Sequence, residues 1–317
     1  MALTLSEYAV TLDDRKLIWP KVPAPISLNS RPSIKPLPDI QVVLWDVYGT
    51  LLRTPDDSFT LLPEPVIRLQ VALDKTIHEF NMWNHMYRKP GPPWQSMIHQ
   101  YREYVDRAAM VAAKHRGDIT NVNLVAIWRS IIGRLFEKEF TYDTDTLGNE
   151  AQLSEKVAYF FHRSLQALEG RADAGTMMTQ LREAGIQQGV LADGQKFTLL
   201  QIAQNTLNDD HPPLRTLLSP NLNTLSYQYG IRKPSPSLFE IAVERLEEAG
   251  ISPEQTLHVS SRLTDSLVPA KTLGMKTALL AVEKTGLEAD SQFIKDPETR
   301  PDRLLTDLCQ ITNVVLG

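Results

Sequence analysis

Three aspartates, a lysine and a pair of serines stand where short apolar runs give way to turns. Asp46 closes Gln41-Val42-Val43-Leu44-Trp45 and opens Val47-Tyr48-Gly49-Thr50. Asp193 lies in Ala192-Asp193-Gly194, Lys233 in Gly230-Ile231-Arg232-Lys233-Pro234, and Asp265 in Val259-Ser260-Ser261-Arg262-Leu263-Thr264-Asp265. An ionised aspartate attacks an electrophile to form an intermediate that water later cleaves. A lysine beside it keeps the carboxylate charged and offsets charge on a substrate. Other roles remain open at this stage. Ser260 and Ser261 serve either substrate contact or helix capping, Asp193 can form an Asx turn with Gly194, and Asp265 can cap a helix or pair with the lysine.

These residues need a sheet to gather them. Ile40–Trp45 has the length and β-branched content of a strand buried on both faces, and Asp46 falls at its carboxyl end, where open α/β sheets bind ligands. From Arg171 onward, strands and helices alternate. Strands are expected at Gln188–Leu191, Leu214–Leu218, Thr256–Val259 and Met275–Ala281, and helices at Thr176–Ala184, Phe197–Leu207, Ser237–Ala249, Ser266–Leu273 and Asp302–Ile311. Alternation of this kind predicts a parallel α/β sheet with right-handed crossovers. Residues 60–169 carry only helical spacing, in Val66–Leu73, Tyr101–Ala109, Leu124–Leu135 and Leu153–Leu168, so they read as an all-helical cap inserted after the first strand. The core is then 40–59 plus 170–317. Residues 1–39, with prolines at 20, 23, 25, 32, 36 and 38, read as an extended arm over the core or a partner subunit, or as a partly disordered leader.

Composition narrows the function classes. The 317 residues suffice for a large core, and 33 basic against 38 acidic residues imply no nucleic-acid partner. One cysteine, Cys309, excludes an internal disulfide framework and fits a cytoplasmic compartment. No apolar run approaches the ~20 residues of a membrane helix, and no zinc-like Cys/His spacing occurs. His78, His85, His99 and His115 read as surface or packing residues, and Trp83, Trp94 and Trp128 as cap core.

The four stretches around Asp46, Asp193, Lys233 and Asp265, in that order and spacing, with a helical insertion after the first, resemble the haloacid dehalogenase-like hydrolase superfamily. The resemblance covers about residues 38–312. It implies a Rossmann-like doubly wound parallel sheet with a helical cap and an aspartyl-enzyme mechanism. Asp46 would be the nucleophile, Thr50 would steady its turn, Lys233 would neutralise charge, and Asp265 would be the acid that helps phosphatase members hold magnesium, together with Asp46. Phosphatase members usually carry a second aspartate two residues after the nucleophile; here that position is Tyr48, whose phenol is a poor proton shuttle near neutrality. Halide needs no proton to leave. The 2-haloacid dehalogenase branch is similar in having tyrosine there and Ser-Ser in the last stretch, as Ser260-Ser261 stand here. The chain departs from that branch at Ala192, Asp193, Arg262 and Phe239, where serine, asparagine, asparagine and tyrosine are usual. Its cap arginine would be Arg53, Arg88 or Arg102.

Asp46, Asp193 and Asp265 against Lys233 leave about two negative charges if all face one pocket, unless magnesium or an inward Arg262 offsets them. The expectation is therefore a hydrolase using Asp46, Lys233 and Asp265 on a small phosphate ester or carbon–halogen compound. Tyr48, Thr50, Asp193, Ser260, Ser261 and Arg262 line the substrate site. Magnesium is an open requirement, no organic cofactor is implied, and a homodimer through the arm or cap is an option. The alternative is a catalytically weakened member that binds a ligand or protein.

Overall fold

The computed structural model describes residues 2–15, 17–56, 58–86, 90–285, 287–289 and 291–317. Six parallel strands form the central sheet: β1 (Val42–Trp45), β2 (Gln187–Ala192), β3 (Thr224–Leu225), β4 (Thr256–Ser260), β5 (Lys276–Leu280) and β6 (Arg303–Leu305), in the spatial order β6-β5-β4-β1-β2-β3. The order reverses at β1, so crossovers run to both sides and the sheet is doubly wound. β1 is central and fully buried. Val43 and Trp45 join the core on one face with Met177, Leu181, Ile311 and Val314, while Val42 and Leu44 join Leu238, Phe239 and Leu246 on the other. Burial on both faces explains why the run is uninterrupted apolar sequence rather than an alternating one.

Helices α1 (Leu5–Asp14), α2 (Ile67–Glu79), α3 (Pro93–Met110), α4 (Leu124–Phe136) and α5 (Glu150–Leu165) build a separate helical layer with its own core. In α4, Leu124, Ile127, Trp128, Ile131, Ile132 and Leu135 are all buried, which is one stripe at helical spacing. Trp128 packs edge-on to Phe161 at 5.0 Å. Asn149 and Gln152 form a capping box that starts α5. The remaining sheet helices are α6 (Ala174–Glu183), α7 (Thr198–Thr206), α8 (Pro236–Glu248), α9 (Val268–Thr272) and α10 (Ile311–Leu316).

Several elements differ from the sequence expectation. Leu214–Leu217 is a helical turn, not a strand: Pro213 precedes it and its carbonyl accepts from Thr216 N at 2.8 Å. The edge strand is Thr224–Leu225 instead. The expected closing helix Asp302–Ile311 begins as strand β6, paired with β5, because the Asp302 carboxylate binds Thr277 N at 2.9 Å and fixes that register. The Asp307 side chain accepts from Cys309 N at 2.8 Å and opens a 3-10 turn, so α10 runs later. The cap is not wholly helical: Ile119–Thr120 is a short strand that pairs with Ile231–Arg232 of the core.

The arm is not extended throughout. Thr4 and Glu7 cap α1, whose Tyr8, Ala9 and Leu12 bury against the cap core. Beyond it the chain runs over its own core: Ser33 N donates to Leu304 O at 2.8 Å and Leu37 N to Val314 O at 2.8 Å. Among the described residues no helix is long and apolar enough to cross a membrane.

Candidate active site

Asp46 sits at the carboxyl end of β1 with 4 % of its surface exposed. Its Oδ1 accepts from Val47 N at 2.9 Å. Its Oδ2 accepts from Ser260 Oγ at 2.7 Å and faces Lys233 Nζ at 3.1 Å. Burial would raise the Asp46 pKa, but the Lys233 ammonium and the hydrogen bond from Ser260 outweigh it and hold the carboxyl below its usual range. Burial lowers the Lys233 ammonium against the opposing pull of Asp46 and Asp193. The pair is a buried ion pair with further hydrogen bonds on both partners, from Val47 N and Ser260 to Asp46 and from Lys233 to Ser266, which favours its persistence.

A second contact set lies beneath the lysine. Lys233 Nζ donates to Ser266 Oγ at 2.6 Å, and Ser266 Oγ is 2.7 Å from His258 Nε2. His258 Nδ1 donates to Leu44 O at 2.9 Å, since a carbonyl only accepts. Burial pushes His258 down to about 3, so the imidazole is neutral and its Nε2 accepts the proton of Ser266. Neither His258 nor Ser266 was singled out in the sequence. The available signal was a histidine inside an otherwise apolar strand, beside Val259 and Leu257.

The turn after Asp46 is fixed from outside. Gly49, with φ of 89°, makes the reversal. Arg171 Nη2 donates to Gly49 O at 2.8 Å and its Nε to Thr50 O at 2.9 Å, while its Nη1 pairs with Glu283 at 3.0 Å. Thr50 Oγ1 accepts from Ser261 N at 3.1 Å, tying the first stretch to the last. Thr50 thus holds backbone rather than facing substrate. The Ser261 hydroxyl is buried and has no hydrogen-bond partner among the described residues.

The expected site residues do not all meet. Asp46, Lys233 and Ser260 meet directly. Asp193 joins them through Lys233 N, which donates to Asp193 Oδ1 at 2.9 Å. Tyr48 turns elsewhere: its hydroxyl donates to Gln201 Oε1 at 2.7 Å and lies 2.9 Å from Thr198 Oγ1, in a buried network under the cap, and burial raises its pKa. Gln201 Nε2 in turn donates to His162 Nδ1 at 3.0 Å. The Tyr48 hydroxyl, expected to line the substrate site, is bound within this network. Arg262 and Asp265 form an ion pair with each other. Arg53, considered as the cap arginine, is bound to Glu283 and Glu169. Arg88 lies outside the described residues.

This pairing answers the charge question. Asp46 with Lys233 and Asp265 with Arg262 are neutral pairs, leaving Asp193 alone as the excess negative charge. It also decides the metal test. Magnesium takes one or two carboxylates in octahedral geometry. Asp265 meets a guanidinium, Asp46 meets an ammonium, and no group of three or more His, Cys, Asp or Glu side chains converges to hold a metal among the described residues. Paired in this way, Asp46 and Asp265 do not fit a shared magnesium ion, the arrangement that the sequence left open.

The cap is stitched to the loop that carries Lys233. Besides the Ile119–Thr120 ribbon, Ile119 N donates to Ser235 Oγ at 2.7 Å, Asn121 N to Gly230 O at 2.9 Å, and Ser237 N to Asp118 Oδ1 at 3.2 Å. Gln195, two residues after Asp193, accepts from Leu124 N at 2.9 Å and donates to Val122 O at 2.8 Å.

A parallel doubly wound sheet with an aspartate at the end of its central strand, a lysine against it and an inserted helical layer is an α/β, Rossmann-like architecture with a cap. The chain belongs to the haloacid dehalogenase-like hydrolase family, whose model matches residues 40–270; a second, HAD-hydrolase-like model matches residues 230–311. Among solved structures it is similar to a 2-haloacid dehalogenase from Pseudomonas syringae pv. Tomato DC3000, at 15 % identity over 86 % of this chain and 96 % of that one with a TM-score of 0.50. It is also similar to an L-2-haloacid dehalogenase from Xanthobacter autotrophicus with chloropropionic acid covalently bound, at 18 % identity, 88 % and 99 % coverage and a TM-score of 0.44. A third is the HAD-hydrolase YfnB from Bacillus subtilis bound to magnesium, at 15 % identity, 86 % and 97 % coverage and a TM-score of 0.44. No curated protein sequence matches the chain.

Proposed function

We propose that this family member is a metal-independent hydrolase in which Asp46 attacks an electrophilic carbon of a small molecule and displaces an anionic leaving group such as halide. The observation that carries this reading is the contact of Asp46 Oδ2 with Lys233 Nζ at 3.1 Å and Ser260 Oγ at 2.7 Å. Together they keep the carboxylate ionised and aligned, as a nucleophile needs. The new bond forms between an Asp46 oxygen and the substrate carbon, the carbon–halogen bond breaks, and halide leaves with the electron pair. No proton is required, which suits a turn where Tyr48 replaces an acid and its hydroxyl is bound to Gln201. Phosphoryl transfer draws on cation clamps that the paired Asp265 and Arg262 do not offer. The weakened, ligand-binding alternative gains no support from a nucleophile and lysine held in bonding contact.

The test is a panel of 2-bromo acids, the matching neutral 2-bromoamides and an aryl phosphate, each with magnesium and with a chelator. Halide release from a bromo compound, unchanged by chelation and absent in Asp46→Asn, is the expected result. Magnesium-dependent turnover of the phosphate with none on the bromo compounds would overturn the reading.

A further inference from the structure

The turn after Asp46 lacks an acid, yet the aspartyl ester must still be cleaved by water. The neighbouring strand supplies a candidate. β1 and β2 pair with Trp45 opposite Val190, so Asp46 falls opposite Leu191 and Asp193 follows two residues further along the same carboxyl edge; Lys233 joins the two, meeting Asp46 through Nζ and Asp193 through its backbone N. One Asp193 oxygen is anchored by Lys233 N at 2.9 Å; the other has no protein partner among the described residues. Among the described residues, the other ionisable groups of the site are engaged. The Tyr48 hydroxyl binds Gln201, Asp265 binds Arg262, Lys233 binds Asp46 and Ser266, and both His258 nitrogens are bonded.

We propose that Asp193 is the general base that resolves the aspartyl ester, an inference that rests on the nucleophile reading of Asp46. Its open oxygen takes a proton from a water, and that water's oxygen bonds to Cγ of Asp46. The tetrahedral centre collapses, the bond to the product oxygen breaks, and the departing alkoxide takes the proton back from Asp193 to leave as the alcohol. Asp46, rebuilt as a carboxyl beside Lys233, releases its own proton and returns as the carboxylate. Water is consumed once and one proton is released per turnover.

The charged groups facing Asp193 are Lys233 on its loop, Asp46 at the end of β1, and Arg232 beside Lys233. Burial raises Asp193 most; Lys233 and its backbone hydrogen bond lower it, Asp46 raises it and Arg232 lowers it, and the carboxyl is pushed up to about 6. A base with that pKa exchanges protons near neutrality, unlike an ordinary aspartate.

The experiment follows the ester by intact-protein mass spectrometry during turnover of whichever bromo compound of the panel the wild type accepts. Asp193→Asn keeps an oxygen for Lys233 N and loses the base. The expected result is an adduct that forms at the wild-type rate and persists, with steady-state turnover down by about 10²–10⁴-fold. Wild-type ester breakdown should rise with pH through about 6, and the variant should lose that limb. Asp193→Ala, which also frees Lys233 N, should slow adduct formation as well; this separates positioning from proton transfer. Wild-type breakdown rates in Asp193→Asn with the limb intact would overturn the base while leaving the Asp46 reading standing. Turnover without an adduct in either protein overturns both.

Discussion

His258 Nε2 lies 2.7 Å from Ser266 Oγ, which puts a neutral imidazole beneath the Lys233 ammonium, itself 2.6 Å from the same hydroxyl. The proton order runs from Lys233 to Ser266 to His258, whose other nitrogen donates to Leu44 O on the strand that ends in Asp46. The lysine is therefore oriented by a hydrogen-bonded chain that ends in the backbone of β1.

This arrangement sets a pH dependence of stability. His258 and His162 are both buried and pushed down to about 3, against 6.5 when unfolded. Between those values the unfolded chain binds more protons, so their contribution is present above 6.5 and is lost as pH falls. Asp193 works oppositely: raised from 3.8 to about 6, it makes the folded chain bind more protons in that window. These three groups by themselves leave a net of one proton, ~1.4 kcal/mol of unfolding free energy per pH unit between about pH 5 and 6, and the carboxyls held low, Glu7, Asp46, Asp143, Glu254, Glu283 and Asp302, steepen the rise further towards pH 4. Denaturant titrations across pH measure it. Asp193→Asn should steepen the slope by about one proton and His258→Gln should flatten it by about one; unchanged slopes would reject the assignment.

Lys233→Met should destabilise the fold by about 3–5 kcal/mol, because it leaves Asp46 buried and unpaired. Asp46→Asn added to Lys233→Met should recover part of that loss. A double-mutant cycle by chemical denaturation reads the coupling, and additive effects would deny the pair.

Tyr48→Phe removes a hydroxyl bonded to Gln201 and Thr198 under the cap, so stability should fall by about 1–2 kcal/mol. Turnover should stay within a few-fold of wild type. A loss of a hundred-fold or more with unchanged stability would return Tyr48 to the substrate contacts.

Gln195→Ala deletes two bonds that hold cap residues Val122 and Leu124 to the core turn. Hydrogen exchange should quicken at residues 118–124 and, through the shared ribbon, at residues 230–237 around Lys233. Faster exchange confined to the cap would show that the latch and the lysine loop move independently.

The first strand, its closing aspartate and the alternation of later elements were legible because burial on both faces leaves an unbroken apolar signature, and helix spacing survives in any context. The cap core was legible for the same reason, as the fully buried stripe of α4 shows. Short edge elements were not. Leu214–Leu217 and Arg303–Leu305 exchange the expected types because Pro213 and the Asp302–Thr277 bond, one local and one distant, decide them.

Fold class, family and the acids and lysine at strand ends can be read from the order of the residues. Their partners are set by the folded chain. It paired Arg262 with Asp265, turned the Tyr48 hydroxyl to Gln201, and brought His258 and Ser266 under Lys233. Strand register fixes where a side chain starts, whereas the partner that satisfies it comes from residues far away in the chain. In a buried site the cost of an unpaired polar group selects among those partners.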